Sequence, residues 1–175
     1  MRSLLFLIIP FLTFSAKPYP LIKYQIPQIQ YTIRIPLLDG TVNEKYKDSI
    51  INACIDASIE INDLAAICFA ESSMMKITDH PNDLDISPFG LHETKEIHAE
   101  RVEKWGPYDP HNINEAARIS ALEYKEELDK FNNKALAFSA YHRGTNWVDK
   151  NGVCHYYIKM INNYMEDYCG REAVK

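Results

Sequence analysis

The sequence predicts a mainly α-helical body of one domain, preceded by an extended N-terminal arm. Three observations carry that expectation. From about residue 43 onward apolar residues recur at helical spacing, with Asp63, Thr94, Asn112 and Asn133 standing where helices would start. The one strictly alternating stretch, residues 29–35, lies near the N-terminus between Pro27 and Pro36, which suits an edge strand or an arm laid on the body. A length of 175 residues is one domain's worth of chain, enough to bury a core.

Taken in order, residues 1–16 read as a signal peptide. Met1 and Arg2 precede the apolar run Leu4 to Ile9, and Ser15 and Ala16 are small residues of the kind cleaved by signal peptidase. Pro10 and the shortness of the run disfavour the competing reading, a retained membrane anchor. The mature protein is therefore expected to be periplasmic or secreted, with no permanent membrane span. Residues 17–42 form the expected arm, and residues 43–170 the helical domain. Within it a helix is expected over 43–60, on the apolar side of Tyr46, Ile50, Ile51, Cys54, Ile55 and Ala57. Asp63 would cap a second helix reaching about Met74, and a Pro-, Asp- and Asn-rich loop would follow over 77–90. Thr94 opens a third helix that Gly106 closes. Asn112 opens a long one to about Phe131, Asn133 a short one ending at Gly144, and a last helix covers about 155–168. Asn151-Gly152 offers a weak hairpin signal.

Charge and cysteine usage narrow the function classes. A net charge of −5 argues against a nucleic-acid binder driven by phosphate attraction. Cys54, Cys68, Cys154 and Cys169 lack C-x-x-C spacing, which disfavours a zinc ribbon or a thioredoxin-type site. After export they would pair as disulfides in one of three ways or remain small buried hydrophobes; spacing does not choose. His92 and His98 are six residues apart, whereas the zincin motif needs four, and no G-x-S-x-G nucleophile elbow is present. The oxygen-rich segment 79–85 lacks the Gly and distal Glu of a calcium loop. No metal or cofactor is expected.

The second helix carries one residue out of place. Leu64, Ile67, Cys68, Glu71 and Met75 share a face, and four of the five are apolar. Glu71 thus projects from a core-facing stripe at the helix's C-terminal end. Lost hydration and the negative end of the helix dipole both favour its protonated form, which a general acid requires. The plainer alternative is a Glu71 turned outward or paired with a Lys or Arg.

Four segments in fixed order bear on that choice. They are Glu71-Ser72, the loop Ser87-Pro88-Phe89-Gly90-Leu91, Asp109-Pro110-His111-Asn112-Ile113, and Ala140-Tyr141-His142-Arg143-Gly144. Together they resemble the lytic transglycosylase family, the goose-type lysozyme-like glycan-cleaving domain, over about residues 60–165. The resemblance implies a lysozyme-like helical bundle acting on peptidoglycan glycan strands. It implies that Glu71 is the single acid/base, first protonating the oxygen between N-acetylmuramic acid and N-acetylglucosamine. Glu71 would then take a proton from the muramoyl 6-hydroxyl as a 1,6-anhydro ring closes without water. Ordinary glycosidases use two carboxylates; here the substrate's N-acetyl oxygen would stabilise the cationic centre. By the same resemblance Ser72, Ser87, Gly90, Leu91, Glu93, Tyr141 and His142 are substrate-binding positions, and the Tyr141 phenol would hydrogen-bond Glu71 or the sugar.

The chain departs from the family at two of these. Gly90-Leu91-His92-Glu93 replaces G-L-M-Q, and His142 stands for the Asn of A-Y-N. A Glu93 beside Glu71 would favour the protonated acid by like-charge repulsion. Alternatively Glu93, or Asp83 or Asp85, would activate water and make the enzyme a muramidase-type hydrolase. A third expectation is a glycan-binding protein impaired in turnover, and a fourth a secreted helical protein whose helix merely imitates the motif.

Overall fold

The computed structural model describes residues 40–72 and 84–169, and these form a mainly α-helical assembly. The helices are α1 (Gly40–Ala57), α2 (Ile61–Ser72), α3 (Lys95–Trp105), α4 (Ile113–Phe131), α5 (Lys134–Arg143), α6 (Thr145–Asn151) and α7 (His155–Tyr164). A π-helical turn, Met165–Cys169, extends α7, and two short strands, β1 (Asp85–Ile86) and β2 (Leu91–His92), pair between α2 and α3. The expected signal segment 1–16, the alternating stretch 29–35, Met74, Met75, Asp83 and the segment 79–83 lie outside the described residues. So does the expected arm 17–42, except that α1 already begins at Gly40. No helix among the described residues is long and apolar enough to cross a membrane.

The core is organised around α2. Ile61, Leu64, Ala65, Ala66, Ile67, Cys68 and Ala70 are all buried, so this helix is enclosed on nearly every side rather than along the single stripe expected. A helix hydrophobic all round belongs in an interior, and the alanines let neighbours approach closely. α1, α4 and α7 pack against it, while α5 bridges α4 and α7. Ile50, Ile119, Tyr124, Phe138, Ile158 and Ile161 fill the space between them.

Caps set most boundaries as the sequence implies. Thr94 Oγ1 accepts from the Ile97 amide, Asn112 Oδ1 from Asn114 and Asn133 Oδ1 from Leu136. Gly106 and Gly144 end α3 and α5 at φ of 83° and 82°. Asp63 differs: it is not a cap but sits inside the first turn of α2, 0% exposed. Its carboxylate meets Lys134 Nζ at 2.9 Å and accepts from the Tyr124 hydroxyl at 3.1 Å. Burial pushes the Asp63 carboxyl above its ordinary value and Lys134 opposes the rise. The hairpin is also misplaced by sequence reasoning. Asn151 ends α6 and Gly152 caps it, donating to Val148 O at 2.7 Å, so this pair closes a helix. The hairpin that forms lies in the expected loop, pairing Asp85 with His92 and Ile86 with Leu91.

Cys54, Cys68 and Cys154 are free and buried. Burial pushes the Cys68 thiol up to about 12, and the Cys54 thiol is raised for the same reason. Of the two readings of the cysteines, these three follow the buried-hydrophobe one.

Candidate active site

The last turn of α2 leaves the core with Glu71, whose side chain is 15% exposed. The helix that carries it is fixed by burial, which gives the side chain a rigid base. Ser72, next along, is 0% exposed, and its hydroxyl donates to Cys68 O at 2.8 Å. This bond back into the helix replaces the substrate contact expected of Ser72.

The turn of the β1–β2 hairpin is folded over Glu71. Ser87 and Gly90 have φ of 72° and 66°, and the Gly90 amide donates to Ser87 O at 3.2 Å. Ser87 Oγ accepts from the Phe89 amide at 3.3 Å, so this buried hydroxyl shapes the turn and does not face a substrate. Phe89 and Leu91 are core residues at 0% and 1% exposure, which removes Leu91 from the expected substrate contacts. Gly90 has a different job. A β-carbon there would lie 2.6 Å from Glu71 Oε2, so only hydrogen leaves the carboxylate room.

The other side of the carboxylate meets α5 and α7. His142 Nδ1 is 3.4 Å from Glu71 Oε1, and the imidazole stacks on Tyr157 at 4.3 Å between centroids and 6° between planes. The Tyr157 ring is 1% exposed, and its hydroxyl is buried without a well-aligned hydrogen bond. Glu71 is the carboxylate acting on that phenol; burial first, then the Glu71 charge, hold it well above its ordinary value. Tyr141 does not bond Glu71 as expected. Its hydroxyl donates to the Phe89 carbonyl at 2.8 Å and so ties α5 to the hairpin turn.

A groove of about 510 Å³ runs along this face, bounded by His92, Arg101, Trp105, Glu123, Tyr141 and His142 among others. Glu71 is not among its walls; His142, in contact with Glu71, is. Among the described residues no group of three or more His, Cys, Asp or Glu side chains is set to hold a metal ion.

Glu93 stands in none of the three roles expected of it. Its side chain is 4% exposed; Oε1 accepts from Arg101 Nη1 and from the Tyr108 hydroxyl, each at 2.5 Å, and Oε2 lies 2.9 Å from His98 Nδ1. Arg101 also bonds Glu123 at 2.7 Å and the His92 carbonyl at 2.8 Å. Glu93 is thus the neutralised centre of a structural network, with both oxygens occupied by protein. Asp85 is likewise engaged, 2.7 Å from His92 Nδ1.

Of the eight expected positions, the fold brings Glu71, Gly90 and His142 into contact and sets Tyr141 beside them. Tyr157 was not among those positions. Its spacing with Ile158, Ile161 and Tyr164 is an ordinary core pattern, and only its hydroxyl separates it from one. Comparison with family models, curated proteins and solved structures finds no significant match for this chain.

Proposed function

We propose that the protein is an exported peptidoglycan lytic transglycosylase on a lysozyme-like fold, with Glu71 as its acid and then its base. The observation that carries this reading is a single carboxylate, largely enclosed, at the end of a buried helix and clamped between Gly90 of the hairpin turn and an imidazole. A carboxyl group so placed is held in position with little water around it, which suits proton transfer to a glycosidic oxygen. The groove beside it has the size for sugar rings and mixes acidic, basic and aromatic walls.

The state of Glu93 favours the water-free outcome. A hydrolase of inverting type needs a second carboxylate free to activate water. Glu93 is fully bonded to Arg101, Tyr108 and His98, and Asp85 is bonded to His92. With Glu93 and Asp85 so engaged, the nucleophile in this reading is the muramoyl 6-hydroxyl, which closes the 1,6-anhydro ring.

Digestion of purified sacculi with mass analysis of the products tests this. Wild type is expected to release fragments with anhydro ends, each lighter by one water than a reducing end. Glu71→Gln is expected to lower the rate by about 10²–10⁴-fold with the helical spectrum unchanged. Reducing ends instead would assign the muramidase alternative. Binding to sacculi without release would assign the glycan-binding alternative. Near-full activity of the Gln variant would remove Glu71 from the chemistry.

A further inference from the structure

The contact between Glu71 and the groove is indirect. Among the described residues, His142 both lines this groove and touches Glu71, which is not among the groove's lining residues. The His142 side chain is 25% exposed and that of Glu71 15%. Imidazole has two nitrogens whose bonding directions diverge, so a ring that meets Glu71 with Nδ1 turns Nε2 away from it. The ring lies nearly parallel on Tyr157, and α5 is held to the hairpin by the Tyr141 hydroxyl.

We propose that His142 is the groove-side half of a Glu71–His142 dyad and carries the proton between Glu71 and the sugar. The inference rests on the transglycosylase reading for its substrate and adds to it a second proton-bearing residue. The acid half begins with the dyad holding two protons, one on Nε2 of His142 and one between Glu71 and Nδ1. The Nε2 proton passes to the glycosidic oxygen and the shared proton passes to Nδ1. The bond from that oxygen to C1 breaks, its electron pair staying on the departing oxygen, now a hydroxyl. In the second half the 6-hydroxyl oxygen bonds to C1 and its proton goes to Nε2. The Nδ1 proton then returns to its place between Nδ1 and Glu71, so both residues end as they began and no water or other reactant is consumed. The 3.4 Å separation is longer than a good hydrogen bond, and such contacts shorten when substrate closes a site.

This arrangement assigns a reason to the His that replaces the family's Asn. An amide at position 142 would hold a carboxylate in place but has no second nitrogen to hand a proton onward. The His142→Asn variant therefore separates the two roles: it fails if the ring relays and works if the ring only positions.

The test measures kcat and KM on sacculi for wild type, Glu71→Gln, His142→Asn and the double variant, together with the wild-type rate in mixtures of light and heavy water. A relay predicts that His142→Asn loses about 10²–10⁴-fold in kcat while KM stays within a few-fold. It also predicts that the double variant is no slower than the slower single one. The wild-type isotope plot should curve, because two protons move together. Were His142→Asn to stay within about ten-fold of wild type while Glu71→Gln is inactive, Glu71 would act directly and the relay would be overturned with the transglycosylase reading intact. Full activity of Glu71→Gln, or no anhydro product from wild type, would overturn that reading and the relay with it. Should circular dichroism find His142→Asn misfolded, the isotope plot decides alone, and a straight line overturns the relay.

Discussion

At the residue scale, the least conspicuous member of the site makes the sharpest demand. Gly90 occupies a left-handed conformation and has Glu71 Oε2 where a side chain would begin. Gly90→Ala should cost about 1–2 kcal/mol of stability through its backbone alone. It should also displace the carboxylate, so under the transglycosylase proposal turnover is expected to fall further than unfolding curves would suggest. Denaturant titration beside sacculus digestion separates the two effects; an unaltered kcat would deny the contact any role. Glu71 was legible because an acid in an apolar helix breaks a pattern that is otherwise unbroken. Ser72 and Leu91 were misread for the converse reason. Burial, not motif membership, decides whether a side chain can reach a substrate, and burial at these two depends on partners distant in the chain. Tyr157 left no mark in the sequence, since a tyrosine at core spacing looks the same whether or not a carboxylate lies beyond its hydroxyl.

At the element scale, helices announced by caps were readable and short elements were not. Thr94 with Gly106, Asn112 with Asn132 and Asn133 with Gly144 bound α3, α4 and α5 by local hydrogen bonds. α6 has seven residues and no side-chain cap, and the strands have two residues each, too few for any period to emerge. What holds that hairpin is Arg101 of α3, reaching the end of β2 through the His92 carbonyl and Glu93, and α4 through Glu123. Removing the guanidinium strands Glu93 in the interior without its cation. Arg101→Ala should therefore destabilise the fold by about 3–5 kcal/mol in chemical denaturation, the range for an orphaned buried charge. A loss below about 1 kcal/mol would place the pair among weak surface bridges. Glu93 reads in the sequence as a substrate-binding position or a second carboxylate that activates water. Its partners Arg101, Tyr108 and His98 are set by how α3 folds back, which no local pattern encodes.

At the scale of the whole molecule, the helical class followed from periodicity, whereas the central position of α2 did not. Its alanines score weakly on any apolar stripe, yet they are what admits α1, α4 and α7 to close approach. The interior so formed also encloses the thiols. With Cys68 pushed up to about 12 by burial, the reactive thiolate is scarce at neutral pH. Cys54, Cys68 and Cys154 are expected to resist iodoacetamide at pH 8 in the native protein and to react fully in denaturant, as read by intact and peptide mass. Rapid native labelling at Cys68 would mean that α2 opens far more often than its packing implies.

Glu71 is supported from α2, from the hairpin turn, from α5 and from α7, four stretches that meet only because the chain has folded. None of them holds the acid in place by itself. Anyone wishing to transplant this setting to another scaffold would have to move a junction and not a peptide, and a fragment bearing only the Glu-Ser step would leave the carboxylate unsupported.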